Sequence, residues 1–281
     1  MNQNLVALYG LKWNPFSPDV PTEALFVPPR IEAYLRRIEN LTADGGFALV
    51  TGEPGSGKSV LLRLLADRFS KKRDVVVGSI GRPQSHLSDF YRELGDLFGV
   101  SLAPHNRWSG FRALREKWIA HVASTLARPV LLVDEAQEMH PSVLVELRIL
   151  ASAQFDSQAL LTVVLAGDSR LTTALGTDEL RPLQSRIRVR IALEPLPPKE
   201  LAELVRHLAT GAGNPRLVDE PLVTALSEHS LGNPRALLHT AAELLAAGAE
   251  RNAATLDEKL YFELVTPTPK ASARRPAGAR S

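Results

Sequence analysis

Cysteine is absent from this chain of 281 residues. The chain therefore cannot form a disulfide, use a thiolate nucleophile or bind a metal through cysteine. It also lacks any run of about 18 uncharged apolar residues, and its first ten residues lack the pattern of a signal peptide. From these absences we expect a cytoplasmic protein that makes no contact with a membrane.

A strong excess of one charge is also missing, because 33 basic residues oppose 31 acidic ones. Four of the basic residues lie after Thr266, in a tail that contains no acid, so the rest of the chain is close to neutral. Binding of nucleic acid would therefore depend on local basic loops, or on an assembly that aligns such loops.

The most informative pattern present is a glycine-rich turn, G-x-x-x-x-G-K-S, which follows an apolar strand predicted over residues 46–50. Glycines let successive backbone N–H groups point at one anion, and the helix that follows adds the positive end of its dipole. We expect Lys58 to reach the β- and γ-phosphates of ATP or GTP, and the Ser59 hydroxyl to bind Mg²⁺. The residues predicted to bind the nucleotide here are Glu53, Pro54, Gly55, Ser56, Gly57, Lys58, Ser59 and Val60.

A second apolar strand, predicted over residues 129–133, ends in the acids Asp134 and Glu135. Next to a phosphate loop, this pattern predicts that Asp134 holds Mg²⁺ and that Glu135 polarises the attacking water. The alternative is a strand followed by acids that only stabilise the start of a helix.

Strands and helices alternate through the first two thirds of the chain. Further strands are predicted over residues 74–80, 160–166 and 187–193. This alternation indicates an α/β fold with a parallel sheet, whose ligands bind at the carboxyl ends of the strands. After residues 195–198 every segment has helical periodicity.

Four segments follow from these patterns. Residues 1–30, rich in proline and aromatics, are predicted to form an extended arm attached by its rings. We expect a nucleotide-binding domain over 31–194 and a helical lid over 195–265. The tail at 266–281 is predicted to be disordered, because it has too few large apolar groups to offset its ordering entropy.

Three further residues carry weaker signals. Asp168 follows a strand and either senses the γ-phosphate or belongs to an ordinary turn. Arg235 lies in the first turn of a helix that is predicted to begin at Pro234, and it either reaches the phosphates or lies on the helix surface. Arg186, with Arg181 as the second choice, either enters the nucleotide site of a neighbouring subunit or belongs to a solvated basic edge.

The order of these motifs resembles that of the AAA+ ATPases. The resemblance implies a five-stranded parallel sheet sandwiched by helices, a small all-helical lid, and ATP and Mg²⁺ as cofactors. It also implies that Asp168 is sensor 1, Arg186 the arginine finger and Arg235 sensor 2. An amide or hydroxyl residue is more usual at the position of Asp168. Three runs are similar to the ExeA/GspA group of secretion-associated ATPases: Tyr9-Gly10-Leu11-x-x-Asn14-Pro15-Phe16, Asp134-Glu135-Ala136-Gln137 and Gln184-Ser185-Arg186-Ile187.

ExeA-type proteins continue through a membrane helix into an envelope domain, which we do not expect of this chain. It therefore also resembles the TnsC, IstB and MuB types of transposition ATPase. That resemblance implies a homo-oligomer, a hexameric ring or helical filament, that assembles with ATP on double-stranded DNA and recruits a transposase or adaptor protein. Two alternatives stay open: a soluble ExeA-like factor that assembles an envelope complex without DNA, and a nucleotide-dependent switch with little turnover.

Two polar or basic groups are candidates for contacts with the DNA backbone. Arg82, Gln84 and Ser85 follow the second strand, where related transposition ATPases carry DNA-contacting loops. Lys71, Lys72 and Arg73 form a basic cluster. A charge repeated along a filament would give salt-sensitive binding of any sequence. For the second group, compensation of a helix dipole explains the residues equally well.

Overall fold

The computed structural model describes residues 2–81, 83, 86–100, 107–124, 127–154 and 157–265. These residues form helices and strands that alternate up to residue 193 and are helical thereafter. The helices are α1 (Asn2–Leu8), α2 (Pro29–Asp44), α3 (Lys58–Ser70), α4 (Leu87–Phe98), α5 (Arg107–Ser124), α6 (Pro141–Leu150), α7 (Ser169–Leu175), α8 (Arg181–Gln184), α9 (Pro198–Gly211), α10 (Glu220–His229), α11 (Pro234–Glu250) and α12 (Glu258–Val265). The strands are β1 (Gly46–Gly52), β2 (Val75–Ile80), β3 (Arg128–Val133), β4 (Ser152–Ala153), β5 (Gln158–Ala159), β6 (Thr162–Gly167) and β7 (Ile187–Leu193).

Five strands form one parallel sheet in the order β2-β3-β6-β1-β7. The predicted five-stranded parallel sheet between helices is therefore confirmed. Thr51 pairs with Gly167, and Val133 pairs with Leu165, so β1, β3 and β6 end close together. This register brings the phosphate loop and the polar residues that follow β3 and β6 to one edge of the sheet.

The three central strands are buried on both faces, as expected for a parallel sheet covered by helices. In β3, Leu131 and Val133 join one apolar cluster while Val130 and Leu132 join the other. The same alternation occurs in β1 and β6. Burial on both sides explains why these strands are continuous apolar runs in the sequence.

The described residues fall into two compact units. The larger contains residues 21–197 and 233–235, and therefore the whole parallel sheet. The smaller contains residues 2–20, 198–232 and 236–265. The four domain segments predicted from the sequence remain a prediction.

Within the smaller unit, the N-terminal residues pack on the helical segments. The side-chain amide of Asn214 donates to the carbonyl of Tyr9 at 3.0 Å, and the backbone N–H of Lys12 donates to Ala212 at 2.8 Å. The prediction of an extended arm is wrong for its first residues, because Asn2–Leu8 form a helix. No proline occurs before Pro15, so nothing in the first residues prevents intrahelical hydrogen bonds.

Candidate functional site: the carboxyl edge of the parallel sheet

The phosphate loop joins β1 to α3. Gly55 and Gly57 have φ values of +87° and +101°, which side chains on L-residues rarely adopt. Lys58 is the first residue of α3, so the loop ends at a helix N-terminus. Local sequence thus dictates this turn, and positive-φ glycines before a helix N-terminus are the features of a phosphate-binding loop.

Lys58 is held in the loop and is 5% exposed. Its ammonium donates to the carbonyls of Gly52 at 2.8 Å and Glu53 at 3.2 Å. The hydroxyl of Ser56 is buried, and it has no hydrogen-bond partner among the described residues. A buried ammonium and an unsatisfied hydroxyl in this loop fit the phosphates of a nucleotide.

The residues predicted to bind Mg²⁺ have oxygen ligands, which this hard cation prefers. Ser59 is exposed in the first turn of α3, and Asp134 follows β3. Across the parts of the chain that the structure describes, no group of three or more His, Asp or Glu residues is placed to hold a metal. The pair still fits Mg²⁺, because this ion is usually held by one or two protein ligands together with phosphates and water.

Glu135 has an unusual backbone conformation, with φ 49° and ψ 40°. Its N–H donates to the carboxylate of Asp134 at 2.9 Å, and its carbonyl accepts from the N–H of Glu138 at 2.9 Å. A non-glycine residue in the left-handed region costs about 1–3 kcal/mol and persists only where its surroundings impose it. Such strain is typical of functional sites.

Gln137 links the ends of β3 and β6. Its amide N–H donates to the carboxylate of Glu135, and its amide oxygen accepts from the backbone N–H of Asp168 at 3.2 Å. The sequence prediction assigned no role to Gln137. Two signals were available: its spacing of two residues from Glu135, and its place in the run Asp134-Glu135-Ala136-Gln137, which is similar to the ExeA/GspA group.

Asp168 is oriented by its own chain. Its carboxylate caps α7 by accepting from the N–H of Arg170 at 2.9 Å, and it accepts from the Arg170 guanidinium at 2.9–3.2 Å. The same guanidinium lies 2.9 Å from Glu138. Hydrogen bonding by Arg170 lowers the pKa of Asp168, and the charge of Lys58 contributes. The acid at this strand end is therefore paired with a cation, a partner that sequence reasoning missed.

Asn233 and Arg235 belong to the same unit as the phosphate loop. The Asn233 amide donates to the carbonyl of Pro54 at 3.1 Å, and its oxygen accepts from the N–H of Arg235 at 3.0 Å. A Cβ atom on Gly55 would lie 2.8 Å from the Cβ of Arg235. Arg235, the second residue of α11, thus lies beside the phosphate loop, and its role at the phosphates stays a prediction. The sequence did not reveal that Asn233 makes the contact.

The arginines near β7 have local partners. Arg186 donates to the carbonyl of Pro182, and Arg181 lies 2.9 Å from Asp178. The role of Arg186 at a neighbouring subunit stays a prediction.

The candidate DNA residues fall into two groups. Arg82, Gln84 and Ser85 lie outside the described residues. Lys71 lies 2.6 Å from Asp67, and Lys72 lies 3.9 Å from Glu39, while Arg73 is exposed. Acidic neighbours therefore already offset part of the positive charge at the end of α3.

Within the described residues, no helix is both long and apolar enough to span a bilayer.

Comparisons with known proteins agree with this geometry. The family model described as "AAA domain" matches residues 41–175. The General secretion pathway protein A of Aeromonas hydrophila is 32% identical over 209 residues, which are 73% of this chain and 37% of that protein. The chain thus spans little more than a third of the length of this relative.

Two solved structures are similar in fold. The Cdc6p protein of Pyrobaculum aerophilum has a TM-score of 0.70 at 16% identity, with 86% of this chain and 67% of that chain covered. The Aeropyrum pernix ORC1 protein, solved in complex with DNA, has a TM-score of 0.65 at 19% identity, with 89% and 67% covered. Together, the domain match and the secretion relative support an AAA+ ATPase of the ExeA-like type, and the solved structures share its fold.

Proposed function

We propose that this protein hydrolyses ATP with Mg²⁺ and uses the cycle to assemble on double-stranded DNA. The proposal of hydrolysis rests on the position of Glu135. This residue follows β3, which only β6 separates from the strand that leads into the phosphate loop, and its carboxylate accepts a hydrogen bond from Gln137. In this proposal Lys58 binds the β- and γ-phosphates, and Glu135 accepts a hydrogen bond from the attacking water. Ser59 and Asp134 would hold Mg²⁺, which would neutralise phosphate charge in the transition state.

Assembly completes the site in this proposal. Arg186 of one subunit would enter the nucleotide site of the next subunit of a hexameric ring or helical filament and stabilise the transferred phosphoryl group. Arg235 would bind the phosphates from within the chain, a role supported by the contact of Asn233 with the phosphate loop. Hydrolysis would then depend on protein concentration.

We further propose that the assembly regulates transposition in the cytoplasm, with a transposase or adaptor protein as its partner. Support for DNA as a ligand comes from the DNA-bound ORC1 protein that shares this fold. The residues that would contact the backbone are Arg82, Gln84 and Ser85, with Lys71, Lys72 and Arg73 as the second group.

A second candidate function is the assembly of a secretion or envelope complex without DNA. One observation favours it: the curated relative with 32% identity is a general secretion pathway protein. Both candidates require the same ATPase site and differ in what the assembly recognises.

Phosphate release and DNA binding separate the candidates. We expect ATP-dependent rings or filaments on duplex DNA by electron microscopy, with binding that weakens steeply between about 50 and 200 mM salt. Lys58→Ala, which removes the phosphate ligand, is the matched control that should neither bind ATP nor assemble. ATP-dependent assembly without DNA binding even at 50 mM salt would favour the secretion function. A wild-type protein that releases no phosphate from ATP at any concentration would contradict both.

A mixing experiment tests the neighbour arginine. Arg186→Ala and Glu135→Gln should each be inactive alone, whereas their mixture should regain activity wherever an intact Arg186 faces an intact Glu135. Arg188→Ala, at an exposed arginine on β7, is the control that should stay active unmixed. Full activity of dilute Arg186→Ala protein would contradict the assignment.

A further inference from the structure

The amide of Gln137 contacts two groups of opposite hydrogen-bonding character. The carboxylate of Glu135 only accepts hydrogen bonds, and the backbone N–H of Asp168 only donates them. An amide offers a donor at one end and an acceptor at the other, so a single orientation of Gln137 satisfies both partners. Neither a methionine nor a glutamate of the same length has both capacities.

Gly167 leaves the space in which this amide lies. A Cβ atom on Gly167 would be 2.6 Å from the amide oxygen of Gln137 and 2.8 Å from Leu171, too close for either contact. Gly167 does not have a positive φ, so its backbone does not require glycine. The absence of a side chain at the end of β6 thus serves close packing against Gln137 and Leu171.

The backbone of Glu135 is already constrained by Asp134 and Glu138. Its carboxylate, at the end of a flexible side chain, needs a separate restraint. Among the hydrogen bonds of the described residues, that restraint is the one from Gln137.

We propose that Gln137 is a positioning residue for Glu135, which couples the direction of the Glu135 carboxylate to the end of β6. This inference rests on the proposed role of Glu135 in hydrolysis. Gln137 holds the carboxylate at the angle from which it orients water, and a shift of Asp168 or Gly167 would be transmitted to Glu135 through one amide.

The bridge formed by the two hydrogen bonds of Gln137, to Glu135 and to Asp168, can be broken by either of two substitutions. Gln137→Met removes both hydrogen bonds at nearly constant length, and Gly167→Ala displaces the amide oxygen. We expect each to lower kcat about 10- to 100-fold while the Kd for ATP stays within about twofold, because misplacement of a catalytic group affects turnover rather than phosphate binding.

The double variant decides whether both act on the same contact. If they do, Gln137→Met with Gly167→Ala will be no slower than the slower single variant, since the bridge is broken only once. Gly81→Ala is the matched control at the same sheet edge, where an added Cβ meets no described atom within 4 Å. Thermal unfolding of all variants detects loss of the fold.

Gln137→Glu retains one of the two contacts. The new carboxylate can still accept from the N–H of Asp168 but cannot donate to the carboxylate of Glu135. We expect kcat to fall as in Gln137→Met while the Kd for ATP again stays within about twofold, a split that a purely structural role would not produce.

The outcomes separate this inference from the proposed function. If wild-type protein hydrolyses ATP and Glu135→Gln does not, but Gln137→Met and Gly167→Ala keep wild-type kcat, the positioning role is overturned and the ATPase function stands. Wild-type kcat in Gln137→Glu, or fully multiplicative losses in the double variant, would also overturn it. Absence of hydrolysis in wild-type protein would remove both.

Discussion

Two acids follow neighbouring strands of the sheet, and the contrast lies in what their carboxylates contact. Glu135 follows β3 and accepts a hydrogen bond from the neutral amide of Gln137. Asp168 follows β6 and is paired with the guanidinium of Arg170. A neutral partner orients a carboxylate and leaves its charge in place, whereas a cation balances that charge.

The pairing with Arg170 explains how an acid can occupy the position of Asp168, where an amide or hydroxyl residue is more usual. An unpaired carboxylate close to Lys58 would repel the phosphates that Lys58 is proposed to bind. Arg170 balances that charge, and it is 63% exposed while the Asp168 side chain is 15% exposed. We therefore interpret Asp168 and Arg170 as one electrically neutral pair at the end of β6.

The largest expected effect comes from removing the charge of Glu135, and the same change at Asp168 is the comparison. Glu135→Gln should lower turnover about 10²- to 10⁴-fold with ATP binding retained, because the amide cannot act on the attacking water as the carboxylate does. Asp168→Asn should keep turnover within about tenfold of wild type. Steady-state phosphate release and equilibrium binding measure both. Equal losses of turnover would contradict the contrast between the two acids.

A smaller effect is expected from removing the cation. Arg170→Gln leaves the Asp168 charge near the phosphate site, so the affinity for ATP should fall about tenfold, or ~1.4 kcal/mol. Adding Asp168→Asn to this variant should restore most of the affinity, because the carboxylate that then remains, that of Glu138, is 55% exposed and screened by solvent. Titration calorimetry measures the affinity for ATP of the wild type, the two single variants and the double variant, which together form a double-mutant cycle. An affinity unchanged in Arg170→Gln would show that this pair does not influence the phosphates.

The helix cap at Asp168 predicts a change in stability. Asp168→Ala removes the acceptor for the N–H of Arg170 and should lower the free energy of unfolding by about 1 kcal/mol. Asp168→Asn retains a capping oxygen and should lose less. Denaturant unfolding compares the two variants, and an equal loss would indicate that the ion pair matters more than the cap.

The smallest expected effect is on the pH dependence of stability. Because Arg170 lowers the pKa of Asp168 from its ordinary 3.8, the folded state binds this proton less readily than the unfolded state. The stabilisation is fully present above pH 3.8 and is lost as the pH falls through the lowered pKa of the folded protein. The difference in melting temperature between wild type and Asp168→Asn should therefore shrink from pH 7 to pH 3. A difference that grows on acidification would contradict the assigned sign.

Local patterns predicted much of the fold. The strand predicted to begin at residue 160 begins at Thr162, and the last strand has the predicted bounds 187–193. Prolines at the first turn mark the starts of α6 and α11 as expected. These features depend on neighbours within a few residues, which is why they can be predicted from one sequence. The helix Asn2–Leu8 was not predicted, because the aromatic residues and prolines that suggested an extended arm begin only at Tyr9 and Pro15.

The amino-acid sequence alone established a phosphate loop, a pair of acids after a buried strand, and the alternation that makes the sheet parallel. Each of these features depends on residues that are close together in the sequence. The properties that determine them are the conformational freedom of glycine, the chemistry of the side chains and the periodicity of the apolar residues. Only the folded chain brought Gln137 against Asp168, and Asn233 against Pro54, across 31 and 179 residues. Such contacts depend on strand order and register, and even the local pairing of Asp168 with Arg170 depends on side-chain directions set by that packing.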